Sequence, residues 1–262
     1  VGRYAGRIHK ASFSLNGIDF KLDENNNENT LHGGDMGFGR KIWKVASVIS
    51  GENPSLTFSL LSEHMDEGFP GEMTVYLTYT LTEENELKLE YKAVSTEDTV
   101  INLTHHSYFN LDGHDGNVLE QQMFIKSDKM LETNPDNIPT GNYTDLTHHD
   151  FDFRNTKNCP FPIDNSFVVN SKTEIVAQLL SLKNKLRMDV YTDQPSVHIY
   201  VGGNCFGKLK GKGNVDYNAQ SGICFETQNF PDAPNHSHFP NAVLKKGEEY
   251  TQKTVYKFEN LN

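Results

Sequence analysis

Two neighbouring runs constrain this chain most. Met73-Thr74-Val75-Tyr76-Leu77-Thr78-Tyr79-Thr80-Leu81 is dense in β-branched and aromatic residues, and Glu86-Leu87-Lys88-Leu89-Glu90-Tyr91-Lys92-Ala93 alternates charged with apolar groups. The first composition fits a pleated backbone, and the second has the period of a half-exposed strand. Residues 82–85 between them suit a hairpin connection. Similar strand signals recur at 12–15, 19–22, 42–48, 55–61, 118–126, 166–169, 187–192, 197–201, 223–226 and 250–258, separated by turns of Gly, Asn, Asp and Pro. Helical periodicity is scarce, and residues 174–183 fit a short helix and a strand nearly equally well. Many short strands between turn residues predict an all-β fold, an antiparallel sandwich.

At 262 residues the chain is long for one average domain but within the range of single sandwiches. No linker or repeat divides it, so one domain over 1–262 is expected. Asp and Glu total 35 against 24 Lys and Arg, a net charge of −11. Such a chain repels phosphate backbones and anionic membranes, which excludes nucleic acid and membrane as expected partners and leaves a neutral small molecule. No apolar run reaches the length of a membrane span. Cys159, Cys205 and Cys224 make an odd count without CxxC spacing. That argues against a disulfide framework or a zinc knuckle and for reduced thiols in the cytoplasm.

Four clusters offer chemistry, and each has a plainer reading. Leu31-His32-Gly33-Gly34 allows an unusual backbone path with close approach by a ligand, yet a histidine before glycines is ordinarily a turn. In Asn102-Leu103-Thr104-His105-His106-Ser107-Tyr108-Phe109-Asn110-Leu111 the two imidazoles point to opposite faces of an extended chain, so only one can face a given pocket. Asp164, after Pro160-Phe161-Pro162-Ile163, reads alone as a turn-capping residue. Glu226 ends the apolar run Ile223-Cys224-Phe225 and precedes Thr227-Gln228-Asn229, a strand-end acid followed by a structured loop. The polar run 23–29 reads as a solvated loop. His236-Ser237-His238 and His148-His149-Asp150 lack a third metal ligand. Gly202-Gly203 and Gly211-Lys212-Gly213 lack the context of a nucleotide site.

Taken together, these runs resemble the aldose 1-epimerase (galactose mutarotase) family over nearly the whole chain. Val1-Gly2-Arg3-Tyr4-Ala5-Gly6-Arg7-Ile8 is similar to that family's V-G-R-x-A-N-R-I. The match continues in order through Leu31-His32-Gly33-Gly34, Asp66-Glu67-Gly68-Phe69-Pro70-Gly71, His106-Ser107-Tyr108-Phe109-Asn110-Leu111, Tyr191-Thr192-Asp193-Gln194-Pro195 and Glu226-Thr227-Gln228-Asn229-Phe230-Pro231-Asp232-Ala233. The resemblance implies a large antiparallel β-sandwich with a sugar cleft on one sheet, here lacking the first N-terminal strands. It implies an isomerase that interconverts the α and β anomers of free hexoses such as galactose and glucose. Glu226 matches the general base and His106 the general acid. Arg7, His32 and Asp164 match groups that hold sugar hydroxyls, Tyr108 is expected to line the pocket, and His198 falls where some relatives use Gln for a sugar contact. No metal or other cofactor is implied.

Mutarotation explains those residue types. A base takes the proton of the anomeric hydroxyl while an acid protonates the ring oxygen, the ring opens to an aldehyde, and reclosure on the other face exchanges the roles. Gly6, His105 and Asn165-Ser166 depart from the common pattern, as does His198, and these departures bear on which sugar fits. Two alternatives stand beside this reading: an epimerase of hexose 6-phosphates, for which Arg7 is the only obvious cation, and a sugar-binding protein without turnover. The acid–base reading requires His106 and Glu226, far apart in sequence, to face one cleft.

Overall fold

The computed structural model describes residues 1–171, 174–202 and 210–261. Cys205 and Gly203 lie outside the described residues. Two antiparallel sheets dominate. The larger runs, edge to edge, through Lys157–Asn158, Gln122–Ile125, Ala177–Ser181, Leu186–Thr192, Glu249–Asn260, Glu86–Ser95, Met73–Leu81, Ser55–Ser62 and Lys44–Ile49. The smaller runs through Tyr108–Phe109, Ile223–Gln228, Ser196–Val201, Ile163–Val168, Lys129–Thr133 and Pro139–Asp145.

The expected hairpin is present: Met73 pairs with Ser95 and Leu81 with Leu87. Its turn is closed by a hydrogen bond from the Thr82 amide to the Glu86 carbonyl at 3.0 Å. Residues 174–183, open between helix and strand, contain the strand Ala177–Ser181, buried at Ala177, Leu179 and Ser181 with the period of two that a sheet imposes. Two further strands, Lys129–Thr133 and Pro139–Asp145, are not announced by the sequence pattern. The second lies at a sheet edge, starts on proline and carries Gly141 at positive φ, so it shows no alternation to read.

The sheets pack face to face. Val75, Leu77, Leu89, Tyr91, Met188, Val190 and Tyr256 of the larger meet Phe167, Val197, Ile199, Val201, Ile223 and Phe225 of the smaller in one apolar core. The Tyr256 hydroxyl donates to the Phe225 carbonyl at 2.8 Å, so even the polar atom buried between the sheets is satisfied. A second apolar cluster, with Tyr4, Ile8, Phe13, Phe69, Leu131 and Phe230, fastens the N-terminal segment over the other side of the smaller sheet.

Several of the residues in or beside the runs singled out by sequence are fastenings. Arg3 is 1% exposed, and its guanidinium donates to the carbonyls of Pro70 and Gly71 at 2.7 and 2.9 Å. The Asn102 amide donates to the carbonyls of Ala5 and Asn229, and its oxygen accepts from the Asn229 amide at 2.7 Å. The Asp232 amide donates to the Arg7 carbonyl at 2.8 Å, and its carboxylate accepts from the His9 amide. The polar run 23–29 is solvated at Asp23, Glu24, Asn27 and Glu28, as its composition suggests, but its other asparagines are tied to the fold. Asn25 brackets Leu31 with two hydrogen bonds, and Asn29 is buried and accepts from the Lys10 amide. A run of asparagines is hydrophilic, but each amide can also replace a backbone partner, and here they knit the segment down.

Candidate active site

The outward face of the smaller sheet is the floor of a cavity of about 210 Å³. Three central strands supply it by strict alternation. Ile163 and Phe167, Val197 and Ile199, and Ile223 and Phe225 turn to the core. Asp164 and Ser166, His198 and Tyr200, and Glu226 and Gln228 turn to the cavity. Register lines them up: Ser166 faces His198, and His198 faces Glu226. Asp164 is therefore a strand residue and not a turn cap.

His106 comes from the stretch just before Tyr108–Phe109, and its Nε2 lies 3.4 Å from Oε1 of Glu226. Its Nδ1 is 3.4 Å from the Cys224 sulfur. Glu226 is 2% exposed, and its Oε2 has no hydrogen-bond partner among the described residues. A buried acceptor without a donor is costly unless a ligand supplies one. His105 is absent from the lining of this cavity. It lines a second cavity of about 270 Å³ with Trp43, Leu77 and Tyr79, and His106 borders that cavity too. Residues 103–107 are not a strand, so the strict alternation expected of the pair does not hold. Burial pushes the His105 imidazole down to about 4.

The N-terminal segment forms the roof. His32, Gly33 and Gly34 all have positive φ. A Cβ on Gly33 would lie 2.3 Å from the Gly2 carbonyl oxygen, so the backbone approach needs glycine there. The turn brings the His32 ring to 5.4 Å from that of His106. The Gly6 amide donates to His32 Nδ1 at 3.2 Å, which leaves the proton of the neutral ring on Nε2. Burial, then the charge of His106, holds His32 well below the ordinary histidine value, so it is a neutral donor. His32, His106 and Glu226 each offer an atom within 4.8 Å of the others, a spacing that also suits metal ligands. With one nitrogen bonded to Gly6 and the other protonated, the neutral His32 ring has no free lone pair for an ion.

Arg7 donates through Nε to Asn26 Oδ1 at 3.2 Å, and its NH2 lies 3.7 Å from Asp164 Oδ2. Asn137 donates to the same oxygen at 3.0 Å. His198 Nε2 is 2.8 Å from Asp164 Oδ1, and its Nδ1 is 2.8 Å from Ser166 Oγ. Burial alone would raise the Asp164 carboxyl, but the bond and charge of His198, with the charge of Arg7, outweigh it and hold the group at about 2. For His198 burial acts downward, and Asp164 and Glu226 together raise it above the ordinary value.

Of the residues singled out by sequence, Arg7, His32, His106, Asp164, His198 and Glu226 line one cavity. Tyr108 does not line it; its ring stands 5.4 Å from that of His106 on the flank and is 39% exposed. His198 has both ring nitrogens engaged by protein. Asn26, Asn137, Ser166, Tyr200 and Gln228 also line the cavity; Ser166 stood out only as a departure from the family pattern and Gln228 only as part of the Glu226 run, while Asn26, Asn137 and Tyr200 carried no signal of their own. His238 lies outside it, with Nε2 2.7 Å from the Gly141 carbonyl oxygen. No helix among the described residues is long and apolar enough to cross a membrane.

A family model described as aldose 1-epimerase matches residues 1–257. Galactose mutarotase of Bos taurus is 38% identical over 98% of this chain and 77% of that protein. Aldose 1-epimerase of Haemophilus influenzae is 37% identical over 99% of this chain and 79% of that protein. An aldose epimerase homologue from C. elegans superposes with a TM-score of 0.92 at 32% identity, covering 100% of this chain and 82% of its own. Sequence and fold agree: the chain belongs to the aldose 1-epimerase family and, with it, to the isomerases.

Proposed function

We propose that this protein interconverts the α and β anomers of a free aldohexose such as galactose or glucose, with Glu226 as base and His106 as acid. The observation that carries this is the 3.4 Å between His106 Nε2 and Glu226 Oε1 in one cavity. The hydroxyl that loses a proton and the ring oxygen that gains one are bonded to the same carbon. An acid and a base serving both must therefore stand side by side, and a hydrogen bond of ordinary length from each then reaches its oxygen. Glu226 takes the proton of the anomeric hydroxyl, the bond from C1 to the ring oxygen breaks, and His106 protonates that oxygen. The aldehyde turns about its C1–C2 bond. His106 then takes the proton back as the ring oxygen attacks the other face, and Glu226 returns its proton to the carbonyl oxygen. Positioned proton transfer of this kind contributes about 10²- to 10⁴-fold for each group.

Arg7, Asp164 and the neutral donor His32 surround the remaining hydroxyls, with Tyr108 beside His106. A phosphorylated hexose needs a free cation in the cavity. Arg7 is the only Lys or Arg in the described lining and already faces Asn26 and Asp164, which favours the uncharged sugar. The core shared by both sheets supports reading residues 1–262 as one domain. The buried thiol of Cys159, which forms no disulfide among the described residues, supports a reducing compartment such as the cytoplasm. Polarimetry of freshly dissolved α-D-galactose and α-D-glucose tests the activity: decay of rotation should be faster than in buffer for at least one sugar. Identical decay with and without protein for both would refute it.

A further inference from the structure

Ser166, His198 and Asp164 form a hydrogen-bonded chain across two strands of the cavity floor, with 2.8 Å at each link. All three line the cavity, and Ser166 and His198 are direct register partners. The carboxylate at one end can only accept, so the Nε2 that faces it keeps its hydrogen whatever the charge of the ring. The proton that comes and goes is therefore the one on Nδ1, and Nδ1 faces Ser166. In the imidazolium, Nδ1–H donates to the serine oxygen, and the hydroxyl hydrogen is available to an acceptor in the cavity. In the neutral ring, Nδ1 is a lone pair. The hydroxyl donates to it, and only serine lone pairs remain for the cavity.

We propose that Ser166 is a further substrate-contacting residue, and that His198 is a positioning residue that sets whether the Ser166 hydroxyl donates to a sugar oxygen or accepts from it. This rests on the anomerase reading above. It also gives His198 a task that a second sugar contact would not, since neither ring nitrogen is free to meet substrate. The charged and titratable groups around His198 are Asp164 on one neighbouring strand, Glu226 on the other, Tyr200 on its own, Arg7 and His32 in the roof, and His106 in the same lining. Asp164 and Glu226 favour the imidazolium, Arg7 opposes it, and His32 is neutral. The change of hydroxyl sense accordingly falls above the ordinary histidine value.

Galactose bearing fluorine at each non-anomeric hydroxyl in turn reads this directly, because fluorine can accept a hydrogen bond but cannot donate one. For each analogue, KM for anomerisation is divided by KM for galactose from below the histidine range to well above it. The ratio is internal to each enzyme, so a general loss of activity cancels. At one position the wild-type ratio should rise about five- to tenfold as His198 loses its proton, the worth of one neutral hydrogen bond. The rise should vanish in Ser166→Ala and in His198→Gln and return in Ser166→Thr, which keeps a hydroxyl. A wild-type ratio flat with pH at every position, or an undiminished rise in Ser166→Ala, would overturn the proposal. Failure of the wild type to anomerise unsubstituted galactose and glucose would instead overturn the anomerase reading, and this proposal with it.

Discussion

Along Ile223–Gln228, Ile223, Phe225 and Thr227 turn to the larger sheet, while Cys224, Glu226 and Gln228 turn to the cavity side. The same division holds along Ser196–Val201, where Val197 and Ile199 are core and His198 and Tyr200 are floor. One face is close-packed hydrocarbon, and the other carries a carboxylate and imidazoles in hydrogen-bonding contact with their neighbours. A slip of one residue would exchange them. The polar side chains of the cavity are thus carried on the backs of strands whose inner face is packed into the core, and that inner face fixes the register that the outer face needs. Neighbouring residues on one strand should therefore fail in different ways when changed.

The largest effect should come from the outer face. Glu226→Gln keeps shape and removes the proposed base, and kcat should fall about 10²- to 10⁴-fold with the unfolding midpoint nearly unchanged. His106→Asn should behave alike. Near-normal turnover in either variant would overturn the role given to that residue. Phe225→Ala, one residue away, should do the reverse. It empties a fully buried site between the sheets, so urea unfolding should report a loss of about 3–5 kcal/mol. A loss under about 1 kcal/mol would mean that this face does not hold the register.

The inner face was legible in the sequence and the outer face was not. Val197, Ile199 and Phe225 announce themselves by apolar alternation, as do Met73–Leu81 and Glu86–Ser95, because burial acts on each strand separately. Glu226, His106 and Asp164 each had a duller local reading, and only their order within a family pattern raised them above it. Tyr200 and Asn137 gave no signal, and Ser166 and Gln228 were visible only as neighbours of Asp164 and Glu226, since a polar residue looks the same in sequence whether it faces water or a cavity. What selects them is cross-strand register, such as Ser166 beside His198 beside Glu226, and register between distant segments is not written in local composition. Asn26 was hidden by its neighbours, a polar run that reads as solvent-exposed until Arg7 is seen against it.

The adjacent imidazoles His105 and His106 sharpen the same contrast at intermediate size. His105 is pushed down to about 4 by burial among Tyr79 and Tyr256. Below the ordinary histidine value of about 6.5, the unfolded chain binds a proton that the folded ring refuses. Its contribution is fully present above that value and is lost as pH falls toward 4. His32 has the same sign, and His198, whose value is raised, has the opposite one. The wild-type curve therefore mixes all three, and comparison with His105→Gln isolates one. That variant should lose roughly 2 kcal/mol of the acid-induced destabilisation between the two values, while any uniform offset reports its lost contact with Ser107. Parallel stability curves for the two proteins would show that His105 is not held neutral by the fold.

Tyr108 should give the smallest effect, and it decides where the active face ends. It sits on an edge strand opposite Cys224, beside the cavity but not in its lining, with its ring 5.4 Å from His106 and 6.4 Å from Tyr200. If it acts by packing against the acid, the ring matters and the hydroxyl does not. An aromatic contact of this kind is worth about 0.5–1.5 kcal/mol, so Tyr108→Ala should lower kcat by roughly three- to tenfold, and Tyr108→Phe should stay within about twofold of wild type in both kcat and KM. The informative outcome is the ratio between the two variants. If Tyr108→Phe raises KM as much as Tyr108→Ala does, the hydroxyl reaches substrate, and the active face extends past His106 to the sheet edge. If only Tyr108→Ala is impaired, and in kcat, the active face stops at the imidazole, with Tyr108 as its outer wall.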